Sequence, residues 1–135
     1  MAQKKLVLTW FGSGGVDPRF QQIGQSLAKN GLQVMGHPWE DNVSQMAWLP
    51  LADFLRNSQA SDAWMIAMLK EDYGKESLRY GLTSCLAAVI YERQSPLQIF
   101  LMGVDFQPEE QSLPTLLQNA QSLTGTDSSW AAKVV

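Results

Sequence analysis

Short apolar, β-prone runs alternate with amphipathic helical stretches along the chain, and this alternation limits the fold more than any other feature. Residues 5–11 form a continuous apolar run closed by Gly12-Ser13-Gly14-Gly15. A run of that kind suits a strand buried on both faces. Residues 18–30 then place Phe20, Ile23, Leu27 and Ala28 at helical spacing. Asp17 stands at the N-cap position, Pro18 at the first helical position, and Asn30-Gly31 at the stop. Residues 32–36 read as a second strand. Residues 44–57 read as a second helix, with Pro50 as a point of kinking or splitting. The nearly all-apolar run over 62–69 is a third strand. The longest helix is expected over 75–93, with Leu78, Leu82, Cys85, Leu86 and Val89 on one stripe. Residues 97–102 form a fourth strand. A last helix over 110–123 carries Leu113, Leu116, Leu117, Ala120 and Leu123.

Strands that alternate with helices imply right-handed crossovers and a parallel sheet covered on both sides. The expectation is a small doubly wound α/β domain, flavodoxin-like or Rossmann-like, in three layers. Its sheet would have four or five strands in the order 2-1-3-4, with any fifth strand at the edge. Residues 1–124 would make the single domain. Residues 125–135 would be a C-terminal tail or edge strand, with Lys133-Val134-Val135 as the short fifth strand.

Composition removes several function classes. With 45% hydrophobic and 17% charged residues, the chain has the apolar content to build a core and is not of the disordered class. A net charge of −3 and a pI near 5.0 argue against nucleic acid, whose phosphates need clustered Lys and Arg. A single cysteine, Cys85, and a single histidine, His37, leave no Cys-rich or His-pair metal site. No apolar stretch approaches the ~20 residues of a membrane crossing. The apolar run at the N-terminus is too short for a secretory signal. These features lead us to expect a cytoplasmic protein with no membrane contact.

In doubly wound folds, ligands sit outside the carboxyl ends of the strands, where the strand order reverses. The first such end offers Gly12, Ser13, Gly14, Gly15 and Asp17. Glycines let a backbone approach a phosphate, and the following helix N-terminus favours an anion. The pattern is neither G-x-G-x-x-G nor a P-loop, so a capped βα turn is the competing reading. The second strand leads to His37, Trp39 and Glu40. Here a proton-transfer group competes with a plain loop whose Trp covers the sheet edge. The third leads to Asp72, Tyr73 and Glu76. Glu76 serves either as a helix-start carboxylate or, with Asp72, as a contact to a sugar hydroxyl. Cys85, on an apolar stripe without a cationic neighbour, reads as an inert buried thiol.

The block from Leu6 through Phe20, the Asn30-Gly31-Leu32-Gln33-Val34 segment, the run Ser61-Asp62-Ala63-Trp64-Met65-Ile66-Ala67-Met68-Leu69, Tyr73 and the fourth strand together resemble a Toll/interleukin-receptor (TIR) domain or the related nucleoside deoxyribosyltransferase-like domains. The resemblance spans about residues 5–105. It implies a fold of the kind described above and an activity, cleavage of an N-glycosidic bond, that rests on a glutamate in the helix after strand 3. In the TIR-like alignment that position falls near Leu82 or Thr83. In the deoxyribosyltransferase-like alignment Arg79 replaces the acid. An arginine does not stabilise a transition state that is itself positively charged.

The leading expectation is therefore a TIR-like, non-catalytic domain that acts by protein association, with a protein partner or a second copy docking on the apolar helix over 75–93. Two alternatives stay open. One is a nucleotide-binding or N-glycosidic-bond-cleaving enzyme acting on NAD or a deoxynucleoside, with Ser13, Gly14 and Gly15 on phosphate and Glu76 with Asp72 at the ribose. The other is a flavin-mononucleotide-binding domain. The residues alone do not fix a cofactor.

Overall fold

The computed structural model describes residues 4–10, 18–36, 49–55, 62–70, 84–85, 87–89, 97–106, 121–125, 127 and 129–134. In chain order these form β1 (Lys5–Trp10), α1 (Pro18–Lys29), β2 (Gln33–Gly36), α2 (Leu49–Leu55), β3 (Ala63–Met68), a helical segment at 84–85 and 87–89, β4 (Gln98–Gly103), β5 (Gln121–Thr124) and a 3-10 turn, η1 (Trp130–Lys133). All five strands are parallel, in the order β2-β1-β3-β4-β5. This is an α/β fold of the Rossmann-like and flavodoxin-like kind, with the strand order that the sequence pattern predicts.

Burial follows position in the sheet. β3 lies between β1 and β4, and all six of its residues are buried. β2 lies at the edge, and none of its four residues is fully buried. Alternation along each strand divides the core in two. Leu6, Leu8, Ala63, Met65, Ala67, Phe100, Met102 and Leu123 pack with Phe20, Ile23 and Leu27 of α1 on one face. Val7, Trp64, Ile66, Met68 and Leu101 pack on the other face with Leu51, Ala52 and Leu55 of α2, and with Cys85 and Val89. Thr9, fully buried on β1, accepts a 2.9 Å hydrogen bond from Trp64 Nε1. This bond satisfies the indole N–H where water cannot reach it.

Helix α1 shows how local chemistry sets an element's limits. Phe20, Ile23 and Leu27 recur at i, i+3 and i+7 and form its buried stripe. At its end Gly31 takes φ +88°, the left-handed region where a Cβ is penalised. Gly31 N–H bonds Ala28 O at 3.1 Å, and Leu32 N–H bonds Leu27 O at 3.3 Å. This pair of bonds is a Schellman motif, and Leu27 and Leu32 share one core cluster, as such motifs favour. In α2, Pro50 falls in the first turn, where its missing N–H breaks no helical bond. The rest of the expected span 44–57 lies outside the described residues.

Two expectations near the C-terminus are corrected. The last helix was expected to run through 123, but Gln121–Thr124 is strand β5, paired with β4 from Phe100↔Gln121 to Gly103↔Thr124. Leu123 fits a helical stripe in sequence. In space it packs with Met102 on the α1 face of the sheet. Residues 110–120 lie outside the described residues. The fifth strand expected at Lys133-Val134-Val135 is not there: residues 130–133 form η1, and Val134 is buried against the α1 face.

Candidate functional site

The carboxyl edge of the sheet is marked by Trp10, Gly36, Lys70, Asp105 and Gly125, at or just beyond the five strand ends. It is tied together by backbone and carboxylate bonds. Val104 N–H bonds Met68 O at 3.0 Å, Lys70 N–H bonds Asp105 Oδ1 at 2.9 Å, and Gly125 N–H bonds Gly103 O at 2.8 Å. The residues singled out in the sequence (Gly12, Ser13, Gly14, Gly15, Asp17, His37, Trp39, Asp72, Tyr73 and Glu76) all lie outside the described residues.

The described residues form a groove of about 290 Å³ on the α1 side of this edge. One wall is the stripe Arg19, Gln22 and Ser26 on α1. These residues repeat the i, i+3, i+7 spacing of the buried stripe one position earlier. They therefore lie beside it, where the helix surface turns from core to solvent. The floor is Val104 and Gly125, just past β4 and β5, and the opposite wall is Trp130 of η1. Gly125 is required by backbone crowding: a Cβ there would lie 2.4 Å from Val104 O.

Asp127 holds Trp130 in place. Its Oδ1 accepts from Ser129 N at 3.0 Å and from Ser129 Oγ at 2.8 Å, and its Oδ2 accepts from Lys133 Nζ at 2.8 Å. Its backbone oxygen accepts from Trp130 N at 3.2 Å. The Lys133 ammonium and the Ser129 donors keep its carboxyl well below the usual range. From there the chain runs back across the α1 face. Val134 O accepts from Lys4 Nζ at 3.2 Å, at the start of β1, and the same ammonium bonds Gln98 Oε1 and sits 5.6 Å from the centre of the Phe100 ring. Asp127 and residues 129–134 thus tie the groove wall to the start of β1.

A second cavity, of about 210 Å³, lies between α1 and the β1–β2 edge, against Leu8, Trp10, Phe20 and Val34. It opens beside Gly24 and Gly36, and Trp10 crosses Gly36 closely enough that a Cβ there would meet the indole at 3.1 Å. Its described walls are almost wholly apolar, so they supply little to orient a polar ligand.

Among the described residues no group of three or more His, Cys, Asp or Glu could hold a metal ion. None of the described helices is long and apolar enough to cross a membrane. Cys85 is fully buried, and burial pushes its thiol up to about 12. A thiol in that state is a poor nucleophile. Native protein at pH 8 should leave a thiol reagent such as Ellman's unreacted, and denatured protein should react with one equivalent. Rapid reaction of the native protein would contradict this burial.

Geometry and topology together define a doubly wound α/β domain with a mixed polar and aromatic groove at the carboxyl edge of its sheet. No protein-family model matches the chain, and no curated protein matches it. Among solved structures it is similar to a 3-dehydroquinate dehydratase-like protein from Bifidobacterium longum, with a TM-score of 0.51, 15% identity, and 99% of each chain covered. At that identity the likeness shows the fold alone.

Proposed function

We propose that this chain is a small-molecule-binding α/β domain whose ligand occupies the groove between α1 and Trp130. The groove itself carries the reading. It lies at the carboxyl ends of β4 and β5, on the carboxyl edge where doubly wound domains bind ligands but to one side of the β1–β3 point where the strand order reverses, and it joins an aromatic wall to convergent polar side chains. Its size narrows the alternatives. About 290 Å³ is at the low end of the ~300–1,000 Å³ of ligand pockets, which favours a ligand of mononucleoside size or smaller over a whole dinucleotide such as NAD.

Thermal unfolding in the presence of a deoxynucleoside, flavin mononucleotide, NAD and 3-dehydroquinate tests this. The last is included because the solved structure of similar fold is a 3-dehydroquinate dehydratase-like protein. A ligand at 100 times its Kd adds about 2.7 kcal/mol of stability, a rise of several degrees for a domain this size. The rise should vanish in Ser26→Trp, which fills the groove. A rise that survives Ser26→Trp, or no rise with any compound, counts against the reading.

Protein association is the second reading. Ala87 is exposed in the helical segment whose neighbours Cys85 and Val89 are buried, and the sequence around it, 82–91, is almost wholly apolar. Light scattering at micromolar concentration should show a dimer that Ala87→Glu dissociates. A monomer throughout removes this reading.

A further inference from the structure

We propose that the groove is built for an uncharged planar ring that carries polar atoms at two opposite sides. The proposal rests on the small-molecule reading of that groove and names its ligand class. The absence of charge follows from what the described walls have to spare. The charged side chains at the groove are already engaged: Arg19 takes part in an interaction of its own, Asp105 accepts from Lys70 N–H, and Asp127 accepts from Ser129 and Lys133. The polar groups left for a ligand are the carboxamide of Gln22 and the hydroxyl of Ser26, both neutral. Neither has a hydrogen-bond partner among the described residues.

The ring has a face to lie on. Trp130 is half-buried. Its backbone N–H donates to Asp127 O at 3.2 Å, and the Asp127 carboxylate accepts from Ser129 before it and Lys133 after it. An indole held in this way offers a flat surface at small further cost in side-chain entropy. The floor is Val104 with a glycine, so no side chain from Gly125 props the ring away.

The polar atoms of the ring follow from the wall across the groove. Gln22 and Ser26 stand four residues apart on α1, about 6 Å along its axis. That is close to the span between polar substituents at opposite positions of a six-membered ring. A ring seated on Trp130 displaces the water that solvates both groups. Without polar atoms of its own there, it would leave them unpaired at a cost in affinity. The carboxamide offers N–H donors and a C=O acceptor, and the hydroxyl offers a donor and an acceptor. Carbonyl, amide or hydroxyl groups at two opposite ring positions match both. A carboxylate or phosphate would instead bring a charge to a wall whose described cation is already engaged.

Two-dimensional amide NMR on the full chain tests the proposal with 4-hydroxybenzamide, benzamide, phenol and 4-hydroxybenzoate. The first has neutral polar groups at both ends of the ring, the next two at one end, and the last a charge in place of the amide. 4-Hydroxybenzamide should shift the Val104 and Gly125 amides and the Trp130 indole. It should bind roughly two- to tenfold more tightly than benzamide or phenol, the worth of one hydrogen bond, and more tightly than 4-hydroxybenzoate. Gln22→Leu and Ser26→Ala should each weaken it by a factor in the same range, and Trp130→Leu should weaken all four compounds. Three results overturn the inference while leaving a small-molecule groove in place: benzamide or phenol binding as tightly as 4-hydroxybenzamide, binding indifferent to either wall variant, or 4-hydroxybenzoate binding at least as tightly as the amide. No shift with any ring, together with no thermal shift from the wider panel, overturns both. Unchanged amide positions for β3 show that the variants fold.

Discussion

Trp64→Ala should lower the stability of the domain by about 4–6 kcal/mol. Trp64 is the largest fully buried side chain described, on the strand whose residues are all buried. It packs among Val7, Leu51, Leu55, Ile66, Cys85, Val89 and Leu101, so its removal empties the centre of one face. Truncating a buried Trp or Phe to Ala costs about 3–5 kcal/mol. The loss also strips Thr9, fully buried, of its hydrogen-bond donor, with a further cost of order 1 kcal/mol. Domains are stable by only about 5–15 kcal/mol, so the sum takes a third of the stability or all of it. Trp64→Phe separates the contributions, because it keeps a ring and loses the N–H. It should cost roughly 1–2 kcal/mol. Urea unfolding reads both. A Trp64→Ala variant within 1 kcal/mol of wild type would contradict the packing described here.

Gly125→Ala should be the most damaging single-methyl substitution at the groove. The added carbon would sit 2.4 Å from Val104 O and 3.2 Å from Val104 C. Both are backbone atoms of the segment that leaves β4, so no side chain can turn aside. The strand ends must separate, and the Gly125 N–H bond to Gly103 O lies in their path. Overpacking of this kind costs about 1–3 kcal/mol. It should also lower ligand affinity at the groove, whose floor these residues form. Gly31→Ala is the control with a different cause. Nothing lies within 4 Å of its added carbon, but the backbone there is at φ +88°. Its cost, about 1–2 kcal/mol, should fall on stability alone. If Gly125→Ala unfolds like wild type in urea, the close approach of the β4 and β5 ends is wrong.

The sheet was largely legible in the sequence because its inner strands are buried on both sides. Leu6-Val7-Leu8 and the run from Ala63 to Met68 have few polar residues, and such runs have no other stable place in a chain of this size. The helix Pro18–Lys29 was legible from its apolar stripe, its Asp17-Pro18 start and its Asn30-Gly31 stop. β5 was not. It has four residues, one of them fully buried, and that one, Leu123, also continues a helical spacing from Leu113. Only pairing with β4 decides between the two, and pairing is a long-range fact. The groove was hidden for the same reason. Arg19 and Gln22 meet Val104, Gly125 and Trp130 across more than eighty residues of chain. Local motifs drew attention instead to the glycine turn and the acidic loops. Trp130, which no local pattern singles out, gains its role only because Asp127 and Lys133 hold the turn in place.

Lys4 has a consequence for the architecture as a whole. One ammonium at the start of β1 reaches the start of β4 and the carbonyl of Val134. The first and last described residues are therefore within one side chain's length of each other. The sheet stays open, with β2 and β5 at its edges, but its described ends are tied by one side chain, so the fold does not depend on the chain starting at β1. A short peptide bridge from 134 to 4 would therefore leave the two core layers and the groove made of the same contacts.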